Sequence, residues 1–137
     1  MATFNKFNCF VEDLAEKKHN LGSDTLTIAL CAAANAPTAS NTVLANLTQI
    51  SYTNLSSRAV TTTSSAQTSG TYKLVLADLV LTASGSVGPF RYAVLYNDTA
   101  TNDELIGYVD YGSDVTLASG ETFTLDFDGS AGAIVIS

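Results

Sequence analysis

A change of hydrophobic period near residue 20 narrows what this chain can become more than any other feature. Before it, Phe4, Phe7, Phe10, Val11 and Leu14 recur at spacings of three and four, which gathers them on one side of a helix turning roughly 100° per residue. Beyond it the period falls to 2: Leu26, Ile28 and Leu30 alternate with Thr25, Thr27 and Ala29. Short alternating runs then continue to the end of the chain, separated by Gly, Asn, Asp and Ser turns at the roughly 8 to 12 residue spacing of antiparallel β-sandwiches. The pattern predicts a mainly β protein, an antiparallel, jelly-roll-like sandwich of seven to nine short strands with one amphipathic helix at its N-terminal end. Its 137 residues suit a single domain, with the helix over 3–18 and the sandwich over 24–137.

Composition points the same way. Ser and Thr together are 32 of the 137 residues, and β-branched Thr and backbone-competing Ser favour strands and turns over helices. Along the chain, Lys17, Lys18 and His19 sit where a helix C-terminus attracts cations, and Gly22 is placed to close the helix. Residues 24–31 read as a half-buried strand, 32–42 as a loop or extended arm, and 43–50 and 59–63 as short strands. Tyr72 to Thr82 is apolar on both faces, so it runs centrally in a sheet or bends between two sheets near Ala77-Asp78. Strands at 90–96, 105–110, 115–117, 121–127 and 133–136 follow, with turns at 85–89, 111–114, 118–120 and 128–130.

The net charge is -7 and unevenly spread, because everything after Arg91 carries eight carboxylates and no Lys or Arg. That acidic third repels a phosphate backbone, so no nucleic-acid partner is expected. No apolar run approaches the ~18 residues that span a bilayer, and the first residues lack the basic and apolar regions of a secretory signal, so synthesis in the cytosol and no membrane partner are expected. Two cysteines, Cys9 and Cys31, are too few for a disulfide framework and are not spaced as a metal pair.

Residues with chemical potential are sparse. His19 has no nucleophile elbow to serve and reads as a helix-end cation. Cys9 falls on the helix side opposite the phenylalanines, as an exposed thiol whose neighbours Glu12 and Asp13 work against a thiolate. The loop 97–104 concentrates oxygen ligands of the kind calcium takes, without the regular Asp-x-Asp-x-Asp-Gly frame. Asp126 and Asp128 share one strand face, as a glycosidase pair would, yet stand beside a turn and read as outward polar residues. Tyr92, Tyr96, Tyr108 and Tyr111 suit a sugar-stacking surface, although alternation puts Tyr92 and Tyr96 with Val94 in the core. Neither an enzyme activity nor a cofactor is expected.

Several stretches carry a family likeness. Phe4-Asn5-Lys6-Phe7, Phe10-Val11-Glu12-Asp13-Leu14-Ala15, His19 to Leu26, Ala36-Pro37, Asn41 to Ile50, Ser69 to Leu74 and Gly88 to Asp98 together resemble small virion structural proteins of tailed bacteriophages, of the capsid cement or decoration kind. The chain departs from that pattern at Cys31-Ala32-Ala33-Ala34, where a more polar Thr/Asn turn is usual, and in a glycine-poor 51–60 segment. The resemblance implies a protein on the capsid exterior, made in the host bacterial cytoplasm. It would bind the major capsid protein and assemble as a dimer or trimer. Shell contacts are then expected from the 32–42 and 51–70 segments, at Pro37, Thr38, Asn41, Tyr52, Asn54, Leu55 and Arg58, from a strand edge or from the helix, because the acidic third would meet like charge on a typically acidic shell. A tail or fibre component and a carbohydrate-binding module are the alternatives.

Overall fold

The computed structural model describes residues 3–137; Met1 and Ala2, part of the expected single domain, lie outside the described residues. The chain forms β1 (Phe4–Lys6), α1 (Cys9–Ala15), β2 (Leu26–Cys31), β3 (Ala59–Val60), β4 (Thr62–Thr68), β5 (Thr71–Leu76), β6 (Leu79–Thr82), β7 (Val87–Asn97), β8 (Leu105–Leu117), β9 (Thr122–Leu125) and β10 (Ile134–Ile136). All pairings are antiparallel. One layer is a five-stranded sheet in the order β1-β8-β7-β2-β3. The other is divided into β10-β5-β4 and β6-β9. Leu55 opposite Ala83 and Thr62 opposite Leu76 keep the same register, so the 55–68 segment flanks β5 and β6 as one interrupted strand, with β9 and β10 on their other side. The sandwich expected from the period of 2 is what the chain forms, and β5 and β6 enter different sheets at the predicted bend.

Five local readings need correction. The expected helix over 3–18 is only seven residues long, and its first turn is a strand, which makes ten strands where at most nine were expected. Phe4 pairs opposite Val109 and its ring lies over Gly107, where a Cβ would collide with it, so tertiary pairing overrides a spacing that also suits a helix. The helix closes before Gly22: Lys17 takes a positive φ of 68° and Lys18 N–H donates to the Asp13 carbonyl, a Schellman-type end. Residues 43–50 hold a 3-10 turn at Leu44–Asn46 and no strand, and 111–114 make no hairpin turn. There β8 bulges, so that Asp110 faces Tyr92 while Val115 faces Phe90.

The fifth correction concerns β2, read as half-buried and in fact buried at every position. Leu26, Ile28 and Leu30 point into the main core between the layers, with Leu74, Leu76, Leu81, Phe90, Leu95 and Ile106. Ala29 and Cys31 point the other way into a second, smaller core with Val94, Tyr96, Leu105 and Phe7. Leu44 and Leu47 cover this outer core, so the 43–50 stretch expected as a short strand is a lid on the sheet. Continuous burial on both faces removes the solvent-facing half of the alternation.

Candidate functional site

The 33 consecutive residues from Thr25 to Ser57 contain no Asp, Glu, Lys or Arg, although the protein as a whole carries -7. Residues 32–57 form a collar that covers the outer face and the β2 edge of the five-stranded sheet and reaches the β6 end of the other layer at Asn54–Ser56, with almost no ladder structure of its own. Backbone bonds hold it in place: Asn8 N–H to Ala39 O at 2.9 Å, Leu105 N–H to Thr42 O at 3.0 Å, Leu44 N–H to Asp103 O at 3.0 Å and Ile50 N–H to Leu30 O at 3.0 Å. Side-chain amides close its turns, with Asn41 Oδ1 accepting from Thr38 N–H at 2.8 Å and Asn46 Oδ1 from Thr42 N–H at 3.0 Å. Its exposed residues are Ser, Thr, Asn and Gln with four alanines among them, on a frame that is already ordered.

The expected contact residues divide within this collar. Pro37 is buried and presents no surface. Thr38 is exposed, with its hydroxyl 3.1 Å from that of Ser40, and Asn41 is half-buried. Tyr52 and Arg58 meet, the guanidinium lying 3.6 Å from the ring centroid. Both work within the molecule. The short β3 leaves the far half of the β2 edge unpaired, and side chains complete it: Leu30 N–H donates to Tyr52 Oη at 2.9 Å, Tyr52 Oη donates to Gln49 Oε1 at 2.6 Å, and Arg58 Nη1 donates to the Ile28 carbonyl. Burial pushes the Tyr52 phenol up to about 12, which keeps it protonated and able to donate. Leu55 packs on the main core beside Ala83, while Asn54, exposed with φ of 70°, accepts from Ser84 N–H at 2.8 Å. Among the seven expected positions, Thr38 and Asn54 are the exposed ones.

A second polar constellation lies where α1 ends against the 97–104 loop, and it corrects the reading of His19. His19 is 5% exposed, and its ring lies 5.4 Å from that of Phe10. Asn97, fully buried, accepts at Oδ1 from Thr99 and Ala100 N–H (3.0 and 3.1 Å), so its amide donates to Asp24 Oδ2 at 2.6 Å and to His19 Nδ1 at 3.0 Å. That pattern places the imidazole proton on Nε2, which is buried without a hydrogen-bond partner. Burial lowers the His19 pKa below its ordinary value against the pull of Asp13, Glu104 and Asp24, so the residue is a neutral wedge and not a helix-end cation. Asp13, also buried, is held by Lys18 Nζ at 2.9 Å. The constellation ties the helix end to the loop, and the Asn97 side chain organises the loop from within. Sequence reasoning missed both roles; the signal was a polar residue, Asn97, closing the apolar run Ala93–Tyr96.

The remaining candidates have structural placements. Cys9 is half-buried, 3.7 Å from the Asn41 and Thr42 carbonyls and 3.8 Å from that of Leu105, not an exposed thiol. Burial, helped by Asp13, pushes it up to about 11, and burial alone does the same to Cys31. Asp126 is exposed, while Asp128 accepts from Ser130 and Ala131 N–H, bonds that lower its pKa in a turn. Tyr96 is buried, Tyr92 and Tyr108 pack on the outer core, and Tyr111 is exposed, so the four do not form a flat platform. Among the described residues no three His, Cys, Asp or Glu side chains are grouped to hold a metal ion, and no helix is long and apolar enough to cross a membrane. No protein-family model, curated protein or solved structure matches the chain.

Proposed function

We propose that this is a bacteriophage virion structural protein, a cement or decoration protein that binds the outer capsid surface and bridges major capsid subunits. The observation that carries the reading is the collar: a pre-ordered, uncharged, hydroxyl- and amide-rich surface on an otherwise acidic protein. Interface cores are depleted of charge, and an ordered frame lowers the entropic cost of docking. Such a surface brings no carboxylate of its own to an acidic shell; the C-terminal third borders it at Asp103 and at Asp114, whose carboxylate accepts from Ala33 N–H at 3.2 Å. The likeness of Phe4 to Leu14, His19 to Leu26 and Gly88 to Asp98 to phage virion proteins supplies the partner, and shell symmetry favours binding as a dimer or trimer.

The test is reconstitution. Purified protein is mixed with DNA-filled heads and with separated tails, the particles are sedimented, and decorated particles are imaged by cryo-EM. Saturable binding to heads, with density for the 32–57 collar against the shell, is the expected outcome. Exclusive binding to tails would make the chain a tail component, and absence from both would end the virion reading. Thr38→Glu and Asn54→Glu, at exposed positions, are expected to weaken head binding and leave the fold intact.

A further inference from the structure

The sandwich is not closed on one side. Between β1 and β8 of the five-stranded sheet and the β9–β10 side of the other layer, the inner face continues outward as an apolar groove of about 350 Å³. Phe4, Phe90, Tyr111, Phe123 and Phe127 line it. The rings descend as a staircase: Tyr111, 55% exposed, stands 5.1 Å from Phe123, which stands edge-on 5.2 Å from buried Phe90. Apolar surface this open on an acidic protein marks a contact.

Two independent features say what kind. The first is backbone: β9 pairs only with β6 and β10 only with β5, so among the described residues neither has a ladder partner on its outer edge. No Lys or Pro guards that edge, and Val135 and Ile136 are exposed beside it. The second is charge. Asp126 and Asp128 line the groove. Arg91 also lines it, but its guanidinium is held bidentately by Asp110, with Nε at 2.7 Å and Nη2 at 3.0 Å. Lys73 reaches the Ser130 carbonyl and offsets Asp128 in part, which leaves Asp126 without an ion pair among the described residues. The rim is therefore net acidic over an apolar floor.

We propose that this seam docks an extended segment of a partner protein, one in which alternate residues are apolar and the flanks carry Lys or Arg. The segment adds as a strand along the β9–β10 edge, its backbone taking up the free N–H and C=O groups, its apolar side chains entering the groove and its cations meeting Asp126 and Asp128. A second copy of this chain fits less well, since it would bring another acidic surface to an acidic rim.

The experiment uses isotope-labelled full chain and two synthetic dodecapeptides of alternating Val and Thr, one flanked by Lys-Arg pairs and the other by Glu pairs. Titration followed by amide NMR is expected to give saturable shifts at residues 109–111, 122–128 and 132–136 with the basic peptide, with affinity at least about tenfold above that of the acidic one and falling with added salt. Asp126→Lys is expected to abolish that preference and Tyr111→Lys to weaken both peptides; each replaces an exposed side chain. Equal affinity for the two peptides, shifts confined to another surface, or no binding at millimolar peptide overturns the proposal. So does a dimer of the free protein, seen by sedimentation velocity, that Tyr111→Lys dissociates, because the occupant is then a second copy. Head binding in the reconstitution assay is a separate readout, so this proposal and the cement reading fail independently.

Discussion

Phe7→Ala tests whether the outer face of the five-stranded sheet is a core in its own right. Phe7 follows β1, is fully buried, and inserts among Ala29, Cys31, Val94, Tyr96 and Leu105, with its ring 5.2 Å from that of Tyr108. Those neighbours lie on β2, β7 and β8, three adjacent inner strands of the five-stranded sheet, so they have little room to collapse into the space left behind. Truncation of a phenylalanine in such a site costs about 3–5 kcal/mol, a large share of the roughly 5–15 kcal/mol that holds a domain folded. With an unfolding entropy of about 2.1 cal/mol/K per residue, a chain of 137 residues loses about 3–4 °C of Tm for each kcal/mol. The variant is therefore expected to melt about 10–17 °C below wild type in circular dichroism scans. Its urea midpoint is expected to fall by about 2 M with an unchanged slope. Val11→Ala, four residues on in α1 and 53% exposed, is the control and is expected to change stability by less than about 0.5 kcal/mol. A loss below about 1 kcal/mol for Phe7→Ala would show that the outer cluster packs loosely and that the 32–47 lid does not depend on it. Phe7→Asp, which adds an unpaired charge to the same site, is expected to leave the protein unfolded.

Tyr52→Phe keeps the ring under Arg58 but orphans the Leu30 N–H on the β2 edge, at an expected cost of about 1–3 kcal/mol by urea unfolding; a neutral result would mean that solvent takes over that bond. Because burial holds the His19 pKa below its ordinary 6.5, the unfolded chain binds the proton first, so this stabilising contribution is complete above about pH 6.5 and drains away as the pH falls toward the folded-state pKa. His19→Gln is expected to flatten the fall in urea midpoint between pH 7.5 and 5.5, and identical pH profiles for the two proteins would refute the buried neutral imidazole. With thiols raised to about 11, Cys9 and Cys31 are expected to react with a disulfide reagent at pH 8 only as fast as the protein opens. Rapid labelling of the native protein at either position would contradict that placement.

The same physical feature accounts for the scarcity of free polar chemistry here. Tyr52, Arg58, Asn97 and His19 are the side chains a reader would pick as functional, and each completes backbone or buried polar bonds left by short or interrupted strands. A sheet with a two-residue edge strand must satisfy its remaining donors and acceptors somehow, and in this protein side chains do it. What is left for partners is surface: an uncharged collar, and a seam whose apolar floor lies beneath an acidic rim.

Sequence alone determined the class and much of the order of the fold, because a period of 2 punctuated by turns is a local property of the chain. The bend after Ala77 and the core placement of Tyr96 both follow from alternation. Tertiary structure decided whatever depended on distant partners. Phe4 became a strand residue because Gly107, far along the chain, offers a face without a Cβ. The 32–47 segment became a lid because the outer face of β2 and β7 is apolar enough to hold it, which a single strand's alternation does not reveal. Burial of His19 rests on Asn97 meeting it across 78 positions of sequence. The open seam arises from the way two sheet edges fail to meet, and no local pattern encodes a gap between edges.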